Sequence, residues 1–158
     1  MTNRRWYFSV VAVLIAVGVI GGCAPYAHAA NPVSLAARMK HSAERGDPRA
    51  QAYLGWLYSV GRGVPQHYDL AAMWYYRAAM QGHGGAQFAL GLLYNKGQGV
   101  PKDLVLAYMW LNLSASQAVG KDRDFKVRIR DSVASKMTVN QVEFAQNLAR
   151  HWYRARFP

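Results

Sequence analysis

Apolar residues recur at helical spacing through most of the chain. Over 50–58 they stand at Ala50, Tyr53, Leu54, Leu57 and Tyr58, one stripe of a helical period. Gly61 and Gly63 follow, and glycine accepts the positive φ of a helix end. Pro65 bars continuation and biases Val64 toward extended geometry. The pattern predicts a helix over about 50–58, a turn, and a second helix over about 67–81 stopped by Gly82. The same plan predicts helices over about 85–96 and 103–117, joined by a Gly97-x-Gly99-Val100-Pro101 turn. Upstream, residues 33–45 read as a helix ended by Gly46 and Asp47. Downstream, residues 120–136 read as a basic helix with Phe125, Ile129 and Val133 at four-residue steps. Thr138-x-x-Gln141 is a capping-box pattern, and Val142, Ala145, Leu148, Ala149 and Trp152 stripe the last helix.

The two hairpins are copies of one unit. Ala50-Gln51-x-x-Leu54-Gly55-x-Leu57-Tyr58 returns as Ala86-Gln87-x-x-Leu90-Gly91-x-Leu93-Tyr94, 36 residues on. Gly61-x-Gly63-Val64-Pro65 returns as Gly97-x-Gly99-Val100-Pro101, and Leu70-Ala71-x-Met73-Trp74 as Leu106-Ala107-x-Met109-Trp110. Half of the positions from Ala50 to Gln81 are identical at that shift. A fixed period of this length is the mark of a stacked repeat architecture. Gly55 and Gly91 lie inside helices, where glycine costs about 1 kcal/mol relative to alanine. A cost met twice implies close helix approach, expected across the hairpin at Ala71 and Ala107. Tyr58, Tyr94, Trp74 and Trp110 are expected to fill the space between units.

The pattern Ala-Gln-x-x-Leu-Gly-x-x-Tyr-x-x-Gly-x-Gly-Val-Pro, followed by Ala-x-x-Trp, resembles the Sel1-like repeat family, relatives of tetratricopeptide repeats. The likeness covers Ala50 to Gln117. His67 stands where the family often has Asp, and Ser114 replaces the alanine seen at Ala78. The resemblance implies an all-α fold, an α-α superhelix of short helical hairpins used for protein interaction. It divides the chain into a partial unit at 33–46, repeats at 47–82 and 83–118, and a helical cap at 119–158. Repeat arrays need atypical ends to cover their last apolar face.

Residues 1–29 read as an export signal. Arg4 and Arg5 form a positive start, and Val10 to Ile20 is an apolar run shorter than a membrane span. Two cleavage readings stand side by side. Ile20-Gly21-Gly22-Cys23 resembles the bacterial lipobox, which implies cleavage before Cys23 and its lipidation, each acyl methylene adding about 0.8 kcal/mol of anchoring. Ala27-x-Ala29 is an ordinary cleavage pattern. Either places the domain outside the cytoplasm, in the periplasm or anchored to the outer membrane. Cys23 is the sole cysteine, so no disulfide forms within the chain.

Composition adds charge and removes chemistry. The formal charge is +11, of which Arg4 and Arg5 supply two. Such an excess suits anionic partners and names none. No nucleophile elbow occurs, and Ser132 and Lys136 are four apart, so no S-x-x-K forms. Some exported members of the family have been discussed as penicillin binders or β-lactamases; those share paired cysteines, absent here. The eight acidic residues include Asp69 and Asp103 near helix starts, where they complement the helix dipole. His41 and Glu44 fall short of a zinc site, which needs three or four ligands, and His83 reads as an exposed turn residue. The glycines follow helices and no Gly-Lys-Ser/Thr occurs, which excludes phosphate loops. The expectation is no catalytic residue, no metal and no cofactor.

Two surfaces remain as binding candidates. By the resemblance, the first helix of each hairpin lines the concave face. Its positions free of the core pattern are Arg49, Trp56 and Ser59, then Phe88, Leu92, Asn95 and Lys96. Aromatic and arginine anchors are typical of binding hot spots. The partner expected there is an envelope protein. The second surface is the basic C-terminal cluster of Lys121, Arg123, Lys126, Arg128, Arg130, Arg150, Arg154 and Arg156, with Lys126, Arg130, Arg150 and Arg154 as its candidates for anionic lipid or glycan. Export removes nucleic acid from consideration.

Overall fold

The computed structural model describes residues 32–156, which lie within the unit Asn31–Pro158. The signal segment and Cys23 fall outside the described residues. Seven helices follow one another among the described residues: α1 (Pro32–Glu44), α2 (Pro48–Val60), α3 (Tyr68–Met80), α4 (Gly84–Lys96), α5 (Leu104–Gln117), α6 (Gly120–Ala134) and α7 (Val139–Arg156). None is long and apolar enough to cross a membrane.

Each repeat builds its hairpin by the same local means. Pro48 opens α2 at a position that needs no N–H, and the Asp47 carboxylate accepts from Arg49 N. Gly61 ends α2 at φ 70°, and Gly97 ends α4 at φ 70°. Asp103 caps α5 by accepting from Leu106 N at 2.9 Å. His67, its equivalent before α3, makes no side-chain cap bond, so the departure from Asp removes a cap. Thr138 and Gln141 form the expected capping box: Thr138 N donates to Gln141 Oε1 at 2.9 Å and Gln141 N to Thr138 Oγ1 at 3.3 Å.

The interior glycines do mark close approach, and in the first hairpin the nearest neighbour stands one turn beyond Ala71. A Cβ on Gly55 would meet the Tyr75 ring first, at 2.9 Å. A Cβ on Gly91 would lie 2.7 Å from Leu111 Cγ and 3.1 Å from the Ala107 carbonyl oxygen. Trp74 is buried with Leu54 and Leu57, and Trp110 with Ala79, Leu90 and Leu113.

Between units runs a ladder of glutamine bonds. Gln51 Nε2 donates to Ala43 O at 3.0 Å and its Oε1 accepts from Gln81 Nε2 at 2.7 Å. One repeat later Gln87 Nε2 donates to Ala79 O at 3.3 Å and its Oε1 accepts from Gln117 Nε2 at 2.9 Å. Each rung ties the end of one hairpin to both helices of the next. Ser114, in place of alanine, adds a bond of its own: its hydroxyl donates to Gly84 O at 2.7 Å.

The C-terminal pair breaks the pattern. α6 starts 36 residues after α4 and packs on α5 as the next first helix would. Yet it carries Asp122, Arg123 and Lys126 where α2 and α4 bury Ala, Gln and Leu. α7 does not complete a third hairpin and packs back on α5. Trp152 meets Trp110 edge-on at 5.8 Å, and its Nε1 donates to Met80 Sδ at 3.4 Å. α6 and α7 thus flank α5, closed at their turn by Val133 and Ala145, both fully buried.

Candidate functional site: the inner groove and the basic end

A groove of about 420 Å³ lies between the first helices of the two repeats. Arg49, Ala52, Tyr53 and Trp56 line it from α2, and Gly85 and Ala89 from α4, with His83 and Tyr75 beside them. Trp56 is half-buried, meets the Tyr53 ring at 5.4 Å with a tilt of 36°, and carries the Arg62 guanidinium 5.9 Å from its ring centre. Arg49 is exposed at the rim. The lining is largely apolar with a cation at its edge, the make-up of a peptide-binding surface.

The candidate residues divide among different surroundings. Arg49 and Trp56 share this groove. Ser59 turns inward, its hydroxyl donating to Trp56 O at 2.8 Å and lying 3.5 Å from the Tyr75 hydroxyl. Phe88 and Leu92 belong to the next interface, where they pack with Ile129 and Val133; Phe88 meets Phe125 at 5.8 Å. Lys96 is exposed in the last turn of α4. Asn95 Oδ1 is buried without a hydrogen-bond partner. The cause lies in the repeat: Ser59, its equivalent, has the Tyr75 hydroxyl nearby, whereas Asn95 faces a hairpin in which Leu111 replaces that tyrosine. Burial raises the Tyr75 pKa above its ordinary value, and the Ser59 bond pulls it partly back.

His83 is not the exposed turn residue expected. Its Nδ1 accepts from Ala86 N at 3.1 Å, capping α4 as Asp47 caps α2. Desolvation lowers its pKa below 6.5, a shift opposed by the backbone bond and reinforced by Arg49. The signal was present in the sequence, since His83 stands 36 residues after Asp47. Tyr53, Ala52 and Ala89 were missed because their repeat positions vary, which hides them from a pattern of identities.

At the basic end, three of the four candidates are engaged, Arg150 by donating to Asn147 Oδ1 on its own helix. Lys126 pairs with Asp122 at 2.9 Å with its side chain 14% exposed. Arg130 donates to Asp131 at 2.7 Å and to Asn112 Oδ1 at 3.1 Å, with its guanidinium 5.8 Å from the Tyr108 ring centre. Arg150 and Arg154 line a recess between α5 and α7. Among the described residues no group of three or more His, Cys, Asp or Glu could hold a metal ion.

The Sel1 repeat family model matches residues 48–83 and 85–119. A solved Sel1 repeat protein from Oxalobacter formigenes is 44% identical, with a TM-score of 0.53, the match covering 57% of this chain and 67% of that one. The chain belongs to the Sel1 repeat family. A protective antigen present in uropathogenic Escherichia coli strains, displaying an SLR fold, is 29% identical with a TM-score of 0.72 over 77% of this chain. The chain spans about a quarter of that antigen, 26% of its length. No match was found among curated proteins. Sel1 repeats are typically protein-interaction scaffolds and in general non-catalytic.

Proposed function

We propose that this Sel1 repeat protein is a non-enzymatic adaptor of the bacterial cell envelope, binding an extended segment of a protein partner in the groove between α2 and α4. The observation that carries the reading is the groove itself. Trp56 is held there half-exposed by Tyr53 and Arg62, with Arg49 at the rim and small residues, Ala52, Gly85 and Ala89, leaving room. The envelope location rests on the pattern of residues 1–29, with Cys23 as the lipidation site or discarded with the leader.

The test is recovery of partners from envelope extract by the chain and by an Arg49→Glu/Trp56→Ala variant whose helical circular dichroism is unchanged. The expected result is a protein retained by the first and lost by the second. Equal recovery by both would sink the groove as the working site.

A further inference from the structure

We propose a second binding site, separate from the inner groove: the cleft between α5 and α7 takes the carboxylates of an acidic peptide segment. The cleft has a volume of about 390 Å³, within the range of ligand pockets. Arg150 and Arg154 stand one helical turn apart on its α7 wall, and Asn112, Ser116 and Leu113 form its α5 side. Asn112 and Ser116 also border a smaller recess of about 140 Å³ on the α6 side, lined by Arg123 and Arg130. Arginine therefore faces the end of α5 from both flanking helices.

The pairing of charges is uneven. Asp122 and Asp131 are taken by Lys126 and Arg130, while Asp124, beside Arg123, and Glu143, on α7, stand exposed and enter no ion pair among the described residues. Among the described residues no carboxylate lies within ion-pair distance of Arg123, Arg150 or Arg154. Arg150 and Arg154 thus line the cleft, and Arg123 the neighbouring recess, without a carboxylate partner, and an arginine fork matches a carboxylate with two parallel bonds. Shape separates a peptide from a membrane. A flat anionic bilayer reaches only the rim of a recess between two helices, whereas an extended chain can enter it and lay an acid against Arg150 and Arg154. The position of Arg123 strengthens the point: in both repeats this register holds the buried glutamine of the ladder, and here it carries an exposed charge.

The test is fluorescence anisotropy of the full chain with a labelled peptide of repeated Glu-Tyr-Gly triplets, and with its Gln-for-Glu counterpart. The Glu peptide is expected to bind and the Gln peptide not. Arg150→Gln/Arg154→Gln is expected to weaken binding by about tenfold or more, the loss typical of a hot spot. Arg128→Gln/Lys136→Gln, which removes the same charge from residues lining neither recess, should leave it within about twofold. Trp56→Ala should also leave it unchanged, which keeps this result apart from the fate of the groove. Equal loss from both double variants, equal binding of both peptides, or stronger competition by phosphatidylglycerol vesicles or single-stranded DNA than by unlabelled Glu peptide would overturn the proposal.

Discussion

His83 and Asp47 occupy the same position of the repeat and perform the same task with different chemistry. A carboxylate caps a helix across the whole neutral range, but a histidine accepts a backbone N–H only while its ring nitrogen is unprotonated. Folding lowers the His83 pKa, first through burial and then through Arg49. Below about pH 6.5 the unfolded chain therefore takes up a proton that the folded chain resists, and stability falls with pH. The chain is expected to lose melting temperature between about pH 7.5 and 5.5, and His83→Asn, which caps without titrating, should remove part of that loss. An identical pH slope in both proteins would contradict the assignment. Gly99 is constrained more severely. It sits at φ 68°, and a Cβ there would lie 2.1 Å from the Tyr68 carbonyl group. Gly99→Ala is expected to cost about 3 kcal/mol in urea unfolding. Gly84→Ala, in a helix with its nearest neighbour 3.6 Å away, should stabilise by about 0.5 kcal/mol.

At the scale of elements, the glutamine ladder decides how one hairpin seats on the next. Gln87 is fully buried and bonds two elements at once. Gln87→Leu keeps the volume but removes both bonds of the rung, leaving the Ala79 carbonyl to Gly82 N and the exposed Gln117 amide to water. It should cost about 1 to 2 kcal/mol, the net worth of the two hydrogen bonds lost. A loss under about 0.5 kcal/mol would mean water replaces the rung. The helices themselves were legible in the sequence, because a glycine, a proline or a capping box stood where each apolar period ended. The ladder was not, since Gln51 and Gln87 repeat as visibly as any core residue and nothing in their spacing tells an amide bond from a packing contact. The identity of the Gly55 neighbour was hidden for a related reason: an interior glycine announces that something is near, and only the structure shows that the Tyr75 ring comes nearest. The surroundings of the candidate residues were partly legible. Arg49 and Trp56 meet in one groove, but Phe88 lies under α6, whose packing no repeat identity announced.

At the scale of the molecule, the two ends of the array are unlike. α1 presents the second half of a hairpin to the first full repeat. At the far end α6 holds the position of another first helix, and α7 crosses back over α5 instead of extending the stack. Terminal units of solenoids commonly differ so that the last apolar surface is covered, and here Trp152, Leu148 and Ala149 do the covering against Trp110 and Met80. The charges on α6 have a further effect. Proteins built of stacking units carry a standing hazard, since a free end resembles the internal seam and identical molecules can add head to tail into open fibres. Asp122 and Arg123 stand exposed where the internal seam carries buried alanine and glutamine. Burying that register against a further unit would strip water from both ions, which disfavours a copy of the internal seam at α6.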